Sequence, residues 1–255
     1  MLMRSGNPAL KESTFLDLGT GAVVARNADA MTLNGTVNKT GLLLLLSVMT
    51  AAFAWSQTIL PDGSLNPAAG VYLWGGAIGG FVLALVTVFK KQWAPVSAPL
   101  YALVEGFFLG AISAIYNAQF EGIVLQAVMC TFGTLGALLL AYRSGLIRAT
   151  ENFKLGVVAA TGGIALLYLA SIVMSFFGKS IPMLHEATPL GIGFSVVVVI
   201  VAALNLVLDF DFIESGVEAG APKYMEWYGA FGLMVTLVWL YLEFLRLLSK
   251  LQSRD

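Results

Sequence analysis

The stretch Asn205-Leu-Val-Leu-Asp209-Phe-Asp211-Phe-Ile-Glu214 closes an apolar run over residues 190–208 that contains no charged side chain. Nineteen residues in a helix rise about 29 Å, which is enough to cross the hydrocarbon core of a bilayer. Three acids follow within six positions, where we expect the helix to end. Carboxylates are disfavoured at a helix C-terminus, because partial negative charge accumulates there. The stretch therefore predicts a membrane-spanning helix whose terminal acids have a function.

The composition of the whole chain also indicates a membrane protein. Of its 255 residues, 58% are hydrophobic and 11% are charged, unlike a soluble domain of this length. The net charge of −1 provides no basic stripe for phosphates and excludes a nucleic-acid partner. One cysteine and one histidine exclude an intrachain disulfide and a Cys- or His-based metal cluster. We predict an all-α integral membrane protein with the lipid bilayer as its partner and without a bound cofactor.

The apolar stretches define a seven-transmembrane-helix bundle over residues 40–250. A polar N-terminal tail over residues 1–39 precedes this domain, and a polar C-terminal tail over residues 251–255 follows it. The connections are short and leave no room for a separate domain outside the membrane. The seven predicted spans cover residues 41–59, 70–89, 98–116, 122–142, 155–177, 190–212 and 225–248.

The distribution of Lys and Arg predicts the orientation of the chain. If the spans alternate, ten of the 14 basic residues lie on the side of the N-terminus. Cytoplasmic loops carry an excess of such residues, so we expect a cytoplasmic N-terminus. Arg246, Lys250 and Arg254 are the exception, because seven spans place them outside. Six spans plus a C-terminal re-entrant segment would return them to the inner side, and this is the alternative fold.

Glycines cluster in the second and third spans. In lipid, such small residues let two helix backbones approach closely. We therefore predict tight helix contacts at Gly75, Gly76, Gly79, Gly80, Gly106 and Gly110.

Two further carboxyl groups lie inside apolar stretches. Glu105 lies about 10 Å from the inner start of the third span, and Glu243 lies in the seventh. A charged side chain at mid-membrane costs about 2.5–3.5 kcal/mol on insertion scales and usually faces the bundle interior. The structural alternative for Glu243 is an ion pair with Arg246 three positions later. For Glu105 the alternative is a carboxylic acid that is hydrogen-bonded to a neighbouring helix.

Asp209 and Asp211 cannot both face the centre of the bundle. Two positions correspond to about 200° around a helix, so their side chains point to different sides. Asn205 lies one turn before Asp209 on the same face and extends a polar stripe. We therefore expect Asp209 to point inward, and Asp211 and Glu214 to lie in the inner headgroup region. Ionisable residues within spans are commonly functional.

The chain resembles the Bax inhibitor-1 family, and in particular its bacterial branch. Leu208-Asp209-Phe-Asp211-Phe-Ile213 is similar to the aromatic-Asp-x-x-x-Ile stretch of that family, and Leu240-Tyr-Leu-Glu243-Phe-Leu is similar to its L-x-L-D-F-I motif. The N-terminal blocks over residues 7–15 and 31–40 are also similar to those of the bacterial branch. The resemblance covers the whole membrane portion of the chain.

The resemblance implies a pH-sensitive calcium leak channel in the bacterial inner membrane. In the family, an acid on helix six and an acid on helix seven share a proton and latch the pore on its cytoplasmic side. By position these are Asp209 and Glu243, which also become the expected ligands of a passing Ca²⁺ ion. A base at the inner end of helix two, Lys90 or Lys91, modulates the latch. Two close carboxyl groups titrate as one unit, because both cannot ionise cheaply.

Helix counting conflicts with a contact between these two acids. If helix seven begins near Met225, Glu243 lies about 27 Å along it, near the outer face, whereas Asp209 lies near the inner one. The contact requires either an interfacial segment over residues 222–232 or the re-entrant alternative. We expect seven spans with a delayed start of the last helix.

Other functions have weaker support in the sequence. An interaction protein that modulates a membrane protease or cell-death machinery, with the polar tail as its contact, is the alternative to a channel. An intramembrane protease would use Asp209 with a second acid, but no supporting motif accompanies it. A retinal-type photoreceptor needs a buried Lys for a Schiff base in helix seven, and Lys250 lies at the end of that helix. We therefore predict a protein that is not an enzyme, in which Asp209, Glu243, Glu105, Asp211 and Asn205 serve gating or ion binding.

Overall fold

A computed structural model describes residues 30–179, 184 and 186–254. Within these residues, seven helical segments are long and apolar enough to cross a membrane. This confirms the predicted all-α, seven-helix fold. The helices are α1 (Leu33–Thr58), α2 (Val71–Phe89, with a first turn wound as a π-helix), α3 (Ala94–Gln119), α4 (Ile123–Arg143), α5 (Glu151–Phe176), α6 (Pro189–Glu218) and α7 (Met225–Gln252).

Helix α1 begins at Leu33, eight positions before the predicted start of the first span. Thr32 caps the helix, because its side-chain oxygen accepts a hydrogen bond from the backbone N–H of Gly35 at 3.0 Å. Residues 33–39, which the sequence assigns to the N-terminal tail, are therefore helical. The rest of the predicted tail, residues 1–29 with the motif at 7–15, lies outside the described residues.

Helix α6 ends later than predicted. It continues to Glu218, so Asp209 lies more than two turns before its last residue. The influence of the helix dipole is confined to the last turn. The expectation that Asp209 and Asp211 occupy a helix C-terminus is therefore wrong, and the dipole no longer argues for their function.

Helix α7 is unbroken from Met225 to Gln252. Its 28 residues rise about 42 Å, which exceeds the thickness of a bilayer core. A re-entrant segment requires a break where the chain turns back, and a delayed start requires a separate segment over residues 222–232. The helix has neither, so both expectations are wrong.

The chain forms two compact units. We call the first the C-terminal unit; among the described residues it contains 122–211 and 236–254, and therefore α4, α5 and the larger parts of α6 and α7. The second, the N-terminal unit, contains residues 30–121 and 212–235, and therefore α1 to α3 and the adjoining turns of α6 and α7.

Glycines set the helix spacing in the N-terminal unit. A Cβ atom on Gly106 would meet Thr50 and the backbone of Ser47 in α1, and one on Gly110 would meet the carbonyl group of Ala51. Between α2 and α3, a Cβ atom on Gly76 would lie 2.6 Å from the backbone nitrogen of Phe108. The predicted close contacts are confirmed at these glycines, whereas Gly75 has open space around it.

Candidate functional site

Asp209 is completely buried in the last third of α6. Asn205, one turn earlier, is also buried, at 2% exposure. The amide nitrogen of Asn205 donates hydrogen bonds to the hydroxyl oxygen of Thr161 in α5 and to the carbonyl oxygen of Val201, both at 2.8 Å. Asp209 and Asn205 therefore form a buried polar stretch that α5 partly covers. Their part in gating stays a prediction.

Asp211 has a basic partner that sequence reasoning missed. The ammonium group of Lys154 lies 2.8 Å from its carboxylate, and the side chain of Lys154 is only 5% exposed. Glu151 adds a second carboxylate at 3.8 Å from the same ammonium group. The sequence had placed Lys154 in a loop and Asp211 among the headgroups. The pair connects the start of α5 with α6, and the position of Asp211 relative to the headgroups stays a prediction.

Glu243 is buried in α7 and binds a base and a tyrosine. The guanidinium group of Arg246 donates to both of its carboxylate oxygens, at 2.9 and 3.1 Å. The hydroxyl group of Tyr168 in α5 donates to one of them at 2.9 Å. Arg246 also contacts that hydroxyl group and lies over the tyrosine ring, 5.0 Å from its centroid. The ion pair with Arg246 three positions later, the structural alternative for Glu243, is therefore present. The hydrogen bond from Tyr168 is a further contact that the spacing of residues in α7 does not indicate.

The depths of Asp209 and Glu243 follow from the packing of α7 against α6. Lys250 donates hydrogen bonds to the carbonyl oxygen of Gly191 and to Ser195, at 3.0 and 2.9 Å, so the end of α7 lies beside the start of α6. Glu243 lies about 10 Å from Lys250 along the axis of α7, and Asp209 lies about 21 Å from Ser195 along the axis of α6. The two acids are therefore at different distances from the Lys250–Ser195 contact. The hydrogen bonds that the structure describes for Glu243 go to Tyr168 and Arg246. A direct pair with Asp209 is not among them and stays a prediction.

Glu105 lies in the N-terminal unit, in the middle of α3. It is 8% exposed, and none of the described residues donates a hydrogen bond to its carboxyl group. The group lies against Gly80 of α2, where a Cβ atom would collide with it. Tyr101, one turn earlier, contributes its buried ring and packs edge-to-face on Phe231. The role of Glu105 in gating or ion binding stays a prediction.

The two candidate modulating bases also lie in the N-terminal unit. Lys90 is exposed and follows Phe89, the last residue of α2, and Lys91 begins the short 3₁₀ turn that leads into α3. Their influence on Asp209 or Glu243 stays a prediction.

Glu226 forms an ion cluster that sequence reasoning missed. It is fully buried in the first turn of α7. Its carboxylate accepts hydrogen bonds from the backbone and the hydroxyl group of Thr32, at 2.9 and 2.8 Å, and contacts the ammonium groups of Lys39 and Lys223. A Cβ atom on Gly35 would occupy the position of this carboxylate. The spacing of Lys223 and Glu226 was visible in the sequence, but Thr32 and Lys39 lie 194 and 187 positions away.

A protein site for a metal ion needs several ligands close together. Within the described part of the chain, residues 30–179, 184 and 186–254, no three His, Cys, Asp or Glu side chains converge into a group that could hold a metal ion. Asp209 and Glu243 as successive ligands of a passing cation therefore stay a prediction.

Comparison with known proteins gives one match. Residues 7–253 match the family described as Bax inhibitor 1 like. A search of curated proteins and a search of solved structures returned no significant match. The family match covers nearly the whole chain, including the acidic stretch of α6 and the motif around Glu243. The chain therefore belongs to the Bax inhibitor 1 like family.

Proposed function

We propose that this Bax inhibitor 1 like protein is a pH-sensitive calcium leak channel of the bacterial inner membrane, with a cytoplasmic N-terminus and without catalytic activity. The observation that carries the proposal is Asp209, a carboxyl group that is completely buried within a helix able to span the membrane. Ionisable side chains at such positions are costly and commonly belong to ion or proton pathways. The buried Asn205 one turn away adds a polar side chain to the same stretch.

The proposed mechanism depends on the protonation state of Asp209. A neutral carboxylic acid attracts little water or cation density into the bundle. An ionised carboxylate does attract them, and together with the side-chain oxygen of Asn205 it offers the hard oxygen ligands that Ca²⁺ prefers. A proton and a calcium ion therefore compete for one group, which makes the leak sensitive to pH.

Glu243 is the second acid of the proposal. Its carboxylate is held by Arg246 and Tyr168, so its participation in gating requires that these hydrogen bonds break. If the two acids act as one unit, the variant Asp209→Asn with Glu243→Gln should change the pH response little more than either single variant, because one interaction is removed once. Additive effects would show that Glu243 acts separately.

The test is calcium flux into proteoliposomes as a function of pH. We expect wild-type flux to depend on pH between about 6 and 8, the range that interacting buried carboxyl groups can reach. Asp209→Asn should remove this dependence. The matched control is Asp62→Asn, because Asp62 is exposed in the loop after α1. Hydrogen bonds from the side chain and the backbone of Ser64 lower the pKa of Asp62, so it does not titrate in the tested range.

Two results would contradict the proposal. One is a wild-type protein whose calcium flux does not exceed that of empty liposomes. The other is an Asp209→Asn variant that folds and titrates like the wild type.

A further inference from the structure

Polar side chains recur at every seventh position along one face of α5. These are Lys154, Thr161 and Tyr168, and each one contacts a polar partner on α6 or α7. The first and the last are about 21 Å apart along the helix axis. The C-terminal unit therefore carries a line of polar groups over most of the thickness of a bilayer core; Lys154 is buried, whereas Thr161 and Tyr168 are half-buried.

This line is interrupted between Thr161 and Tyr168. Ile164 of α5 packs there against Val198 and Val201 of α6, with exposures of 8, 0 and 8%. Phe194 and Trp239 pack around this group. We call Ile164, Val198 and Val201 the dry layer.

The dry layer separates two polar sections. The first contains Asp209 and Asn205, which contacts Thr161, together with the pair of Lys154 and Asp211. The second contains Glu243 with Tyr168 and Arg246, and the contact of Lys250 with Ser195. From Thr161 to Tyr168 the distance along α5 is about 10 Å. An ion or a water chain that passes through this unit has to cross that gap.

A buried water molecule needs two to four polar partners, and an apolar cavity stays dry. Apolar constrictions close ion channels for the same reason, because an ion cannot shed its hydration shell where no polar group replaces it. We propose that the dry layer is the barrier that keeps the conduction route of this protein closed. Opening then consists of wetting Ile164, Val198 and Val201, and it does not require Asp209 and Glu243 to separate.

This inference rests on the proposed function, since it locates the closed point of the same leak. It also explains how two acids at different depths can both affect the calcium leak. Asp209 lies on one side of the dry layer and Glu243 on the other. Each acid can therefore attract water and cations to its own side of the barrier without touching the other.

The test compares two double variants in α6. Val198→Thr with Val201→Thr keeps the side-chain shape and adds hydroxyl groups inside the dry layer. Val196→Thr with Val197→Thr adds the same groups at positions that are 40 and 53% exposed. Each added hydroxyl group gives a water molecule a hydrogen-bonding partner inside the layer, so wetting the layer should become easier and the calcium leak should rise about tenfold. The exposed double variant should leak like the wild type.

A second measurement tests the barrier without calcium, through the accessibility of introduced cysteines. Val198→Cys and Val201→Cys, each in a Cys130→Ala background, are treated with a small charged thiol reagent from both sides of the membrane. We expect neither thiol to react at the pH where the leak is closed.

The outcomes separate the two proposals. If the wild type leaks calcium and both double variants leak equally, the barrier lies elsewhere and the inference is overturned while the function stands. Reaction of both thiols in the closed state also overturns the inference. A wild type without any leak overturns the proposed function, and the gating role of the dry layer with it.

Discussion

Glu226 is a buried carboxylate whose partners come from two separate parts of the chain, the start of α1 and the residues just before α7. Thr32 caps α1, Lys39 lies two turns into the same helix, and Lys223 precedes α7. When one partner of a buried ion pair is removed, the remaining charge loses its compensation. Glu226 therefore fixes the start of α1 to the start of α7, and its contribution is one of stability.

We expect Glu226→Gln to lower the free energy of unfolding by roughly 3 kcal/mol, the lower end for breaking a buried ion pair, because both lysines keep some contact with solvent. The measurement is the thermal unfolding midpoint in detergent, followed by circular dichroism. Glu218→Gln is the control, since Glu218 is exposed at the end of α6. Equal midpoints for the two variants would contradict the assignment of Glu226 as an anchor.

At the scale of helices, the contact between α1 and α3 depends on the absence of side chains. Gly106 and Gly110 lie against the backbone of α1, where a methyl group has no space. In lipid, where the hydrophobic effect does not drive helices together, such close van der Waals contact is a main source of helix association. The spacing of these glycines is therefore a packing requirement of the N-terminal unit.

We expect Gly110→Ala to destabilise the protein by roughly 1–3 kcal/mol, because the new Cβ atom overlaps the carbonyl group of Ala51 and forces α1 away. Gly133→Ala in α4 is the matched control, because nothing lies within 4 Å of its added Cβ atom. It should be neutral or stabilise the helix by up to about 1 kcal/mol. Unfolding in detergent measures both, and a Gly110→Ala variant as stable as the control would show that α1 and α3 can separate without cost.

At the scale of the whole molecule, the protein is an integral membrane protein of the Bax inhibitor 1 like family. If all seven helices of the described residues cross the membrane, residues 30 and 254 lie on opposite sides of it. The excess of Lys and Arg on the side of the N-terminus argues for a cytoplasmic N-terminus. Seven spans with a cytoplasmic N-terminus would place Arg246 and Lys250 toward the outer side, and in the structure these two bases are bound by Glu243, Tyr168 and Ser195.

This orientation can be tested with single cysteines in a Cys130→Ala background. We expect a membrane-impermeant thiol reagent to label Asp62→Cys and Ser253→Cys on intact cells, and to label Arg148→Cys only after the cells are opened. All three positions are exposed. Labelling of Arg148→Cys from outside would reverse the orientation. Labelling of Ser253→Cys only from inside would contradict seven spans.

The sequence by itself determined the class and number of the helices. Span length and lack of charge are local properties, so they can be inferred without knowing which helices meet. The same holds for the positions of the intramembrane acids and of the close-packing glycines.

The ends of the helices were harder to predict from the sequence than their number. The capping contact of Thr32 and the continuation of α6 to Glu218 follow from neighbours outside the apolar runs. Apolar length alone therefore placed the first helix too late and ended the sixth too early.

Only the tertiary structure decided the partners of the charged groups. Lys154 meets Asp211, Tyr168 meets Glu243, and Lys39 meets Glu226, although the members of each pair are far apart in the chain. A buried charge in lipid must find a partner, but several candidates satisfy that need equally well. Which one it finds depends on which helix faces are in contact and at what depth, and neither property is encoded within a single span.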